Sequence, residues 1–318
     1  MICYLNSYYL FFSGSATPGA DALDTLFIYY LIAAVFVFLS VVGFITYILF
    51  KYRNRNKEGE PPQVYGSTKV EVSLTLLATA LVGFFFYLTL ITMFKTNKPA
   101  GEHSPDLVIT GHQWWWEARY PQSEVTTANE IHVPVGKRIL LRFKSADVIH
   151  SWWVPDFGQK MDVIPGKTNH LWLQVEKPGL YLGACSEFCG AQHAWMRIRV
   201  IAQPPEEFRR WNRQQAKPAV SIALGNSLAA LGKRLFSQKT CGNCHAIKGT
   251  KNSGSVGPDL THLASRQTLL TGKMANTPEN LNRWINDPQK VKAGAHMPRF
   301  IFDQKQVNAL VSYLETLK

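Results

Sequence analysis

The sequence predicts a three-part chain: a two-helix transmembrane hairpin, an all-β sandwich or barrel, and a small all-α domain. Three observations carry this. Two long uncharged runs lie in the first hundred residues, short β-branched and aromatic runs fill the middle, and a helical period takes over towards the C-terminus. The mean hydropathy of −0.08 conceals this segregation by averaging spans and polar domains together.

Residues 27–50, "FIYYLIAAVFVFLSVVGFITYILF", and residues 72–94, "VSLTLLATALVGFFFYLTLITMF", contain no charged side chain. Each can cross a hydrocarbon layer of about 30 Å as a helix. A soluble core helix is rarely apolar all round for that length. The hairpin is therefore placed at 25–95, behind an N-terminal segment 1–24. The connecting loop carries Lys51, Arg53, Arg55, Lys57 and Lys69. Short basic loops stay cytoplasmic, so both termini and everything after about residue 95 are expected outside. The apolar patch in "CYLNSYYLFFSGSATPGA" suggests a signal-peptide remnant, although no Lys or Arg precedes it. Cys3 has no assigned role.

The net charge of +12 is uneven: from residue 205 onward there are seventeen Lys or Arg against seven Asp or Glu. Such a surplus suits nucleic acid, anionic membrane lipid or an acidic protein, or serves only solubility. An extracytoplasmic domain leaves no role for nucleic acid.

Residues 96–204 read as the β domain. "PDLVITGHQWWWEARY", "EIHVPVGKRILLRFKSA", "VIHSWWVP", "NHLWLQVEKPGLYLGAC" and "WMRIRVIA" are strand-like runs, separated by Pro and Gly signals. A Pro- and charge-rich linker follows at 205–224. The α domain spans 225–318, with "NSLAALGKRLFSQ", the helix start "TPENLNRWINDPQ" and the amphipathic "DQKQVNALVSYLETLK".

"CGNCH", Cys241 to His245, has the C-x-x-C-H spacing of covalent haem attachment. One helical turn lets Cys241 and Cys244 reach two vinyl groups while His245 offers its imidazole to iron. A zinc knuckle or a chance redox pair would give the same five residues. The order C-x-x-C-H, "GPDL", "HMP" and a terminal helix resembles the class I cytochrome c family across residues 225–318. That resemblance implies His245 and Met297 as axial ligands, a pair that raises the redox potential. It also implies that Pro258 orients His245 through its carbonyl, and that Gly232 and Phe236 face Tyr313 where terminal helices cross. Met274 and His296 compete with Met297.

"CSEFCGAQHAWM" places Cys185, Cys189, His193 and Met196 on one segment. A disulfide across four residues is awkward outside a loop. Thiolates, imidazole and thioether form a set that soft copper prefers. Two cysteines suggest two coppers bridged by both sulfurs, which calls for a second histidine among His112, His132, His150 and His170.

"DVIHSWWVP", "CSEFCGAQHAWM" and "GHQWWWEARY" behind a two-helix hairpin resemble subunit II of haem-copper cytochrome c oxidase over roughly residues 20–215. The fused haem domain resembles the bacterial caa(3)-type. The resemblance implies a cupredoxin-like Greek-key fold and a binuclear CuA centre. Cys185 and Cys189 would bridge, His150 and His193 would cap, Met196 would be axial, and Glu187 would offer its backbone carbonyl. The Glu187 side chain would help hold Mg2+ at the interface with subunit I. Trp114 matches the point where electrons enter, although a packed aromatic core is the plainer account of three successive tryptophans. Glu71 matches a carboxylate at a proton-channel mouth, or is ordinary helix-dipole pairing.

The implied role is electron input. Electrons pass from a donor such as a cytochrome c or cytochrome bc complex to haem c, then CuA, then subunit I, where O2 is reduced and protons are pumped; subunit III is a further expected partner. The implied location is the bacterial plasma membrane. Rivals are the CuA subunit of a nitric oxide reductase, a copper-delivery protein or membrane-anchored electron carrier, and a quinol oxidase subunit, which would lack copper ligands. One departure stands out: "EARYPQSEVTTANE" carries fewer acids than subunits that dock a soluble cytochrome c. A tethered haem domain needs less attraction, because a linker supplies millimolar effective concentration. The basic haem domain should then meet an acidic donor. Rising salt should slow donor-to-haem electron transfer; a salt-independent rate contradicts this.

Overall fold

The computed structural model describes residues 15–53, 59, 63, 65–97, 99–219 and 227–318. Cys3, Arg55, Lys57 and the end of the linker lie outside the described residues. Two units are distinguished, an N-terminal hairpin and everything from Pro99 onward together with Ser15–Pro18.

The hairpin consists of α1 (Pro18–Lys51) and α2 (Thr68–Thr96). Both are apolar on every face, with mean hydropathies of 2.6 and 2.2 over their most apolar windows. Such helices suit lipid rather than water. Several of their hydroxyls are satisfied internally: Ser40, Thr46, Thr75, Thr79 and Thr89 each donate to the carbonyl four residues earlier. A lipid-embedded polar group needs such a partner. Tyr30 stacks on Phe85 at 4.3 Å and its hydroxyl meets Thr89 Oγ1 at 3.0 Å, joining the two helices.

In the second unit ten strands form a sandwich of two five-stranded sheets. They are β1 (Leu107–His112), β2 (Trp115–Tyr120), β3 (Val125–Ala128), β4 (Glu130–Pro134), β5 (Ile139–Ser145), β6 (His150–Trp153), β7 (Lys160–Val163), β8 (Asn169–Leu173), β9 (Gly179–Cys185) and β10 (Arg197–Gln203). The sheet orders are β3-β2-β1-β5-β8 and β4-β10-β9-β6-β7. Pairs β1/β5 and β4/β10 are parallel and the others antiparallel. Alternate residues such as Ile109, Trp116, Phe143, Trp152 and Val200 fill the space between the sheets. Residues 205–215, within the segment read as linker, form a helix, α3 (Pro205–Gln215). Its Pro205 and two first-turn glutamates are helix-start signals, and Trp211 packs onto His132 and Tyr120 at 4.0 and 5.3 Å.

The C-terminal part contains α4 (Ser227–Gln238), α5 (Cys241–Cys244), β11 (Thr268–Leu269), β12 (Met274–Ala275), α6 (Pro278–Asn286), α7 (Pro288–Val291) and α8 (Gln304–Leu314). Thr277 caps α6, and Asp303 with Gln306 forms a capping box on α8. Helices α4 and α8 cross at Gly232, where a Cβ would run into the Ala309 carbonyl and come within 2.8 Å of Tyr313 Cβ. Phe236 meets the Tyr313 ring edge-on at 5.8 Å. Gly232→Ala gains about 0.5–1 kcal/mol of helix propensity, but overpacking costs about 1–3 kcal/mol. The net expectation is a loss of stability, read as a lower denaturation midpoint for this part; an unchanged or raised midpoint contradicts the close crossing.

Candidate metal centre and haem cavity

Cys185 ends β9 and Met196 immediately precedes β10, so "CSEFCGAQHAWM" is the long connection of an antiparallel pair. Its base is closed by Cys185 N–H donating to Met196 O at 2.9 Å. On the other side β6 pairs with β9, setting Trp152 opposite Cys185 and bringing His150 alongside. Within the loop Gly190 has φ +113°, and a Cβ there would meet Trp114 at 2.9 Å. Glycine thus permits both the turn and the close approach of the indole.

Five side chains converge. Cys185 Sγ lies 3.8 Å from Cys189 Sγ and 3.9 Å from His150 Nδ1. Cys189 Sγ lies 3.6 Å from His193 Nδ1 and 3.8 Å from Met196 Sδ, and Cys185 Sγ lies 3.2 Å from the Glu187 carbonyl. Both cysteines are free thiols. His150 and Met196 are fully buried, the two cysteines nearly so, while His193 is half-buried and Glu187 exposed. The second histidine of the cluster is thus His150. His112 instead stacks on Trp115 at 4.1 Å, His132 bonds Gln203, and His170 faces Arg142 across β8 and β5.

The hydrogen bond to Cys189, together with bonds to His150 and two backbone groups, holds the Cys185 thiol well below its ordinary range despite burial. The same shared bond and burial push Cys189 the other way. Burial pulls His150 down, but bonds to Cys185 and Asp147 overcome it and leave the imidazole above its usual value. Asp147 accepts from His150 Nε2 at 2.8 Å and is itself held low by that bond and by the Gln113 and Val148 amides, against its desolvation. Nδ1 is thereby the nitrogen turned towards the sulfurs.

The haem-type residues line a largely apolar cavity of about 390 Å3. Cys241, Cys244 and His245 share this lining with Met297. His245 Nδ1 donates to the Pro258 carbonyl at 2.7 Å, which leaves Nε2 with its lone pair. Burial outweighs that bond and lowers the imidazole pKa, favouring the neutral form. Met274 packs into the neighbouring apolar cluster instead, whereas His296 lines the cavity beside Met297.

Gln113, Trp114, Trp115 and Asn129 of the β domain complete the wall of this cavity. The three tryptophans differ in role. Trp116 is sealed in the core, edge-on to His150, and Trp115 stacks on His112. Trp114 donates Nε1–H to the Cys189 carbonyl at 2.9 Å, and its ring lies 5.2 Å from His296. Glu71 lies in the first turn of α2, in the hairpin unit. Sequence reasoning missed Asp147, Gln113, Glu130 and Lys292. Asp147 had a signal, standing three residues before His150; the others had none.

The two domains dock through buried polar groups. Glu130 of β4 accepts from the Gln267 and Thr268 amides at 3.0 and 2.8 Å and from Thr268 Oγ1 at 2.6 Å, with Arg199 Nε at 3.6 Å. Gln192 Nε2 donates to Ala293 O, and Thr271 Oγ1 to Trp195 O.

The class defined by this fold is a cupredoxin-like metal domain and a cytochrome c domain behind a two-helix anchor. Matches to described families follow the same division: "Cytochrome C oxidase subunit II, transmembrane domain" over residues 6–96, "Cytochrome C oxidase subunit II, periplasmic domain" over 122–203, and "Cytochrome c" over 229–318. Cytochrome c oxidase subunit 2 of Alkalihalophilus pseudofirmus is 34% identical, covering 89% of this chain and 84% of its own. That of Bacillus sp. strain PS3 is 29% identical over 83% and 80%. The crystal structure of the periplasmic domain of subunit II of cytochrome oxidase from Bradyrhizobium japonicum is 36% identical, covering 36% of this chain and 95% of its own, with a TM-score of 0.34. The chain belongs to the cytochrome c oxidase subunit II family, with a CuA domain and a C-terminal cytochrome c domain, and is a membrane-anchored component of that oxidase.

Removing one partner of a buried charge pair costs about 3–5 kcal/mol. Glu130→Ala should therefore undock the haem domain, read by calorimetry as two separated unfolding transitions. A single unchanged transition would show that Glu130 does not hold the interface.

Proposed function

We propose that the chain is the electron-input subunit of a proton-pumping oxidase, taking electrons at haem c and passing them through CuA to subunit I. The observation that carries this reading is the convergence of two thiols, two imidazoles and a thioether on one buried point. This is a soft, closed donor set that suits copper. In this reading Cys185, Cys189, His150, His193, Met196 and the Glu187 carbonyl would together hold two copper ions. Asp147 fixes the His150 ring.

The cavity suits haem c equally. Cys241 and Cys244 would hold the haem covalently and His245 and Met297 would offer its iron a nitrogen and a sulfur, with the Pro258 carbonyl holding the His245 ring. Arg266, a partly buried residue of the cavity wall, has a buried Nε with no hydrogen-bond partner, and a haem propionate would supply one. The metals supply one-electron chemistry that no side chain here performs. The protein contributes ligand geometry, burial and a contact between domains, with Trp114 touching both sites.

In the same reading the Glu187 carboxylate shares Mg2+ with subunit I, Glu71 stands at a proton-channel mouth, and subunit III joins the complex. Both termini and both soluble domains lie on the periplasmic side, where the basic haem domain receives electrons from a cytochrome c or a cytochrome bc complex.

Optical and EPR spectra of the full-length protein in detergent test the reading. Low-spin His/Met haem c with a mixed-valence two-copper signal is expected; haem without a copper signal after reconstitution contradicts it. Asp147→Asn should weaken copper binding roughly 10–100-fold by competition titration. Unchanged affinity would remove Asp147 from the site.

A further inference from the structure

Lys292 is the one lysine of the haem domain whose side chain is buried rather than solvated, at 5% exposure among the described residues. It follows α7 and precedes Met297 by five residues, on the loop that lines the haem cavity. Its Nζ donates across the domain boundary to the backbone carbonyl of Trp114 at 2.8 Å. The Trp114 indole in turn donates to the Cys189 carbonyl at 2.9 Å, and Gln113 Nε2 donates to the same oxygen at 2.7 Å. A continuous polar chain thus runs from the Met297 loop through Trp114 to a sulfur-bearing residue of the metal loop.

Burying an ammonium is costly, and a methionine of similar length would fill the space without that penalty. Stability alone therefore does not call for lysine here. Burial, with a smaller push from Lys273, brings its pKa down to about 8, so the group is still mainly a cation at neutral pH. What a lysine does, and methionine cannot, is fix a direction: an N–H donor aimed at one carbonyl sets the register of the loop against Trp114. A second link parallels it, Gln192 Nε2 to Ala293 O at 2.5 Å, from the metal loop to the residue after Lys292.

We propose that Lys292 is a positioning residue for electron transfer between the two sites, holding the Met297 loop at a fixed gap from Trp114 and the Cys189 loop. The proposal rests on the reading that haem c and CuA occupy those sites. One electron leaves haem c and one enters CuA; Lys292 exchanges neither electron nor proton, and acts only through the gap.

The test is Lys292→Met and Lys292→Gln in the full chain within the assembled oxidase. After rapid reduction of haem c, transfer to CuA should slow roughly 10- to 100-fold in Lys292→Met, the scale of small misplacements of reacting groups. Lys292→Gln, which keeps a donor, should recover part of the rate. Haem and copper spectra and the rate of haem c reduction by external donor should stay as in the wild type. Amide exchange, measured on the chain with and without its metals, should rise in segments 113–116 and 291–297 for Lys292→Met. A wild-type transfer rate in Lys292→Met overturns the proposal whatever the exchange shows. Should that variant fail to fold, Lys292→Leu, which also removes the donor to the Trp114 carbonyl, takes its place, and a wild-type transfer rate there overturns the proposal. A wild type that binds no copper refutes the functional reading separately, and the exchange arm still decides whether Lys292 holds the loop.

Discussion

The carbonyl oxygen of Cys189 is the point on which both sites depend. It accepts from the Gln113 side chain and from the Trp114 indole at once. A long loop that gathers soft ligand side chains cannot hold its shape by packing alone, because its backbone polar groups need partners. These two donors come from the β1–β2 connection, part of the sandwich, and they tie the loop to a rigid sheet. The same indole forms part of the haem cavity wall, so whatever fixes Trp114 positions both sites together. An independently mobile haem domain would not need to complete its cavity with side chains of its neighbour.

The interface around that point is polar and buried, an expensive combination unless every charge is met. Glu130 takes two backbone amides and a hydroxyl, and Lys292 takes the Trp114 carbonyl. Such contacts give register rather than mere adhesion, since an apolar face could slide where a directed hydrogen bond cannot. The sequence suggested a tethered haem domain brought near by a linker. The structure adds a docked arrangement in which a third helix, α3, covers part of the linker region and packs on Tyr120 and His132. Effective concentration then describes how the domain finds its place, and the buried pairs describe why it stays.

Much of this was legible in the chain because the ligands are local. Cys185, Cys189, His193 and Met196 fall on one segment, and Cys241, Cys244 and His245 on another, so spacing alone brings their chemistry together. His150 lay at the edge of legibility: residue type and spacing do not separate it from His112 or His132, only the resemblance carried by "DVIHSWWVP" singled it out, and the pairing of β6 with β9 is what brings it beside the thiols. Glu130, Gln113 and Lys292 were beyond it, since each acts on a backbone group more than seventy residues away and a backbone group carries no signature in sequence. Helix α3 was hidden for another reason. Its Pro and charged residues suit a linker as well as a helix start, and the packing of the partly buried Trp211 on Tyr120 and His132 is what favours the helix.

The central claim is that the haem and copper sites work as one docked body. It is tested most directly by following CuA reduction after haem c is reduced by a fast pulse in the assembled oxidase, while salt and solvent viscosity are varied. The account predicts a single first-order transfer whose rate responds to neither, because no charged surfaces have to meet and no domain has to travel. A transfer that slows with added salt or with viscosity would contradict it, and would return the haem domain to the end of a mobile tether.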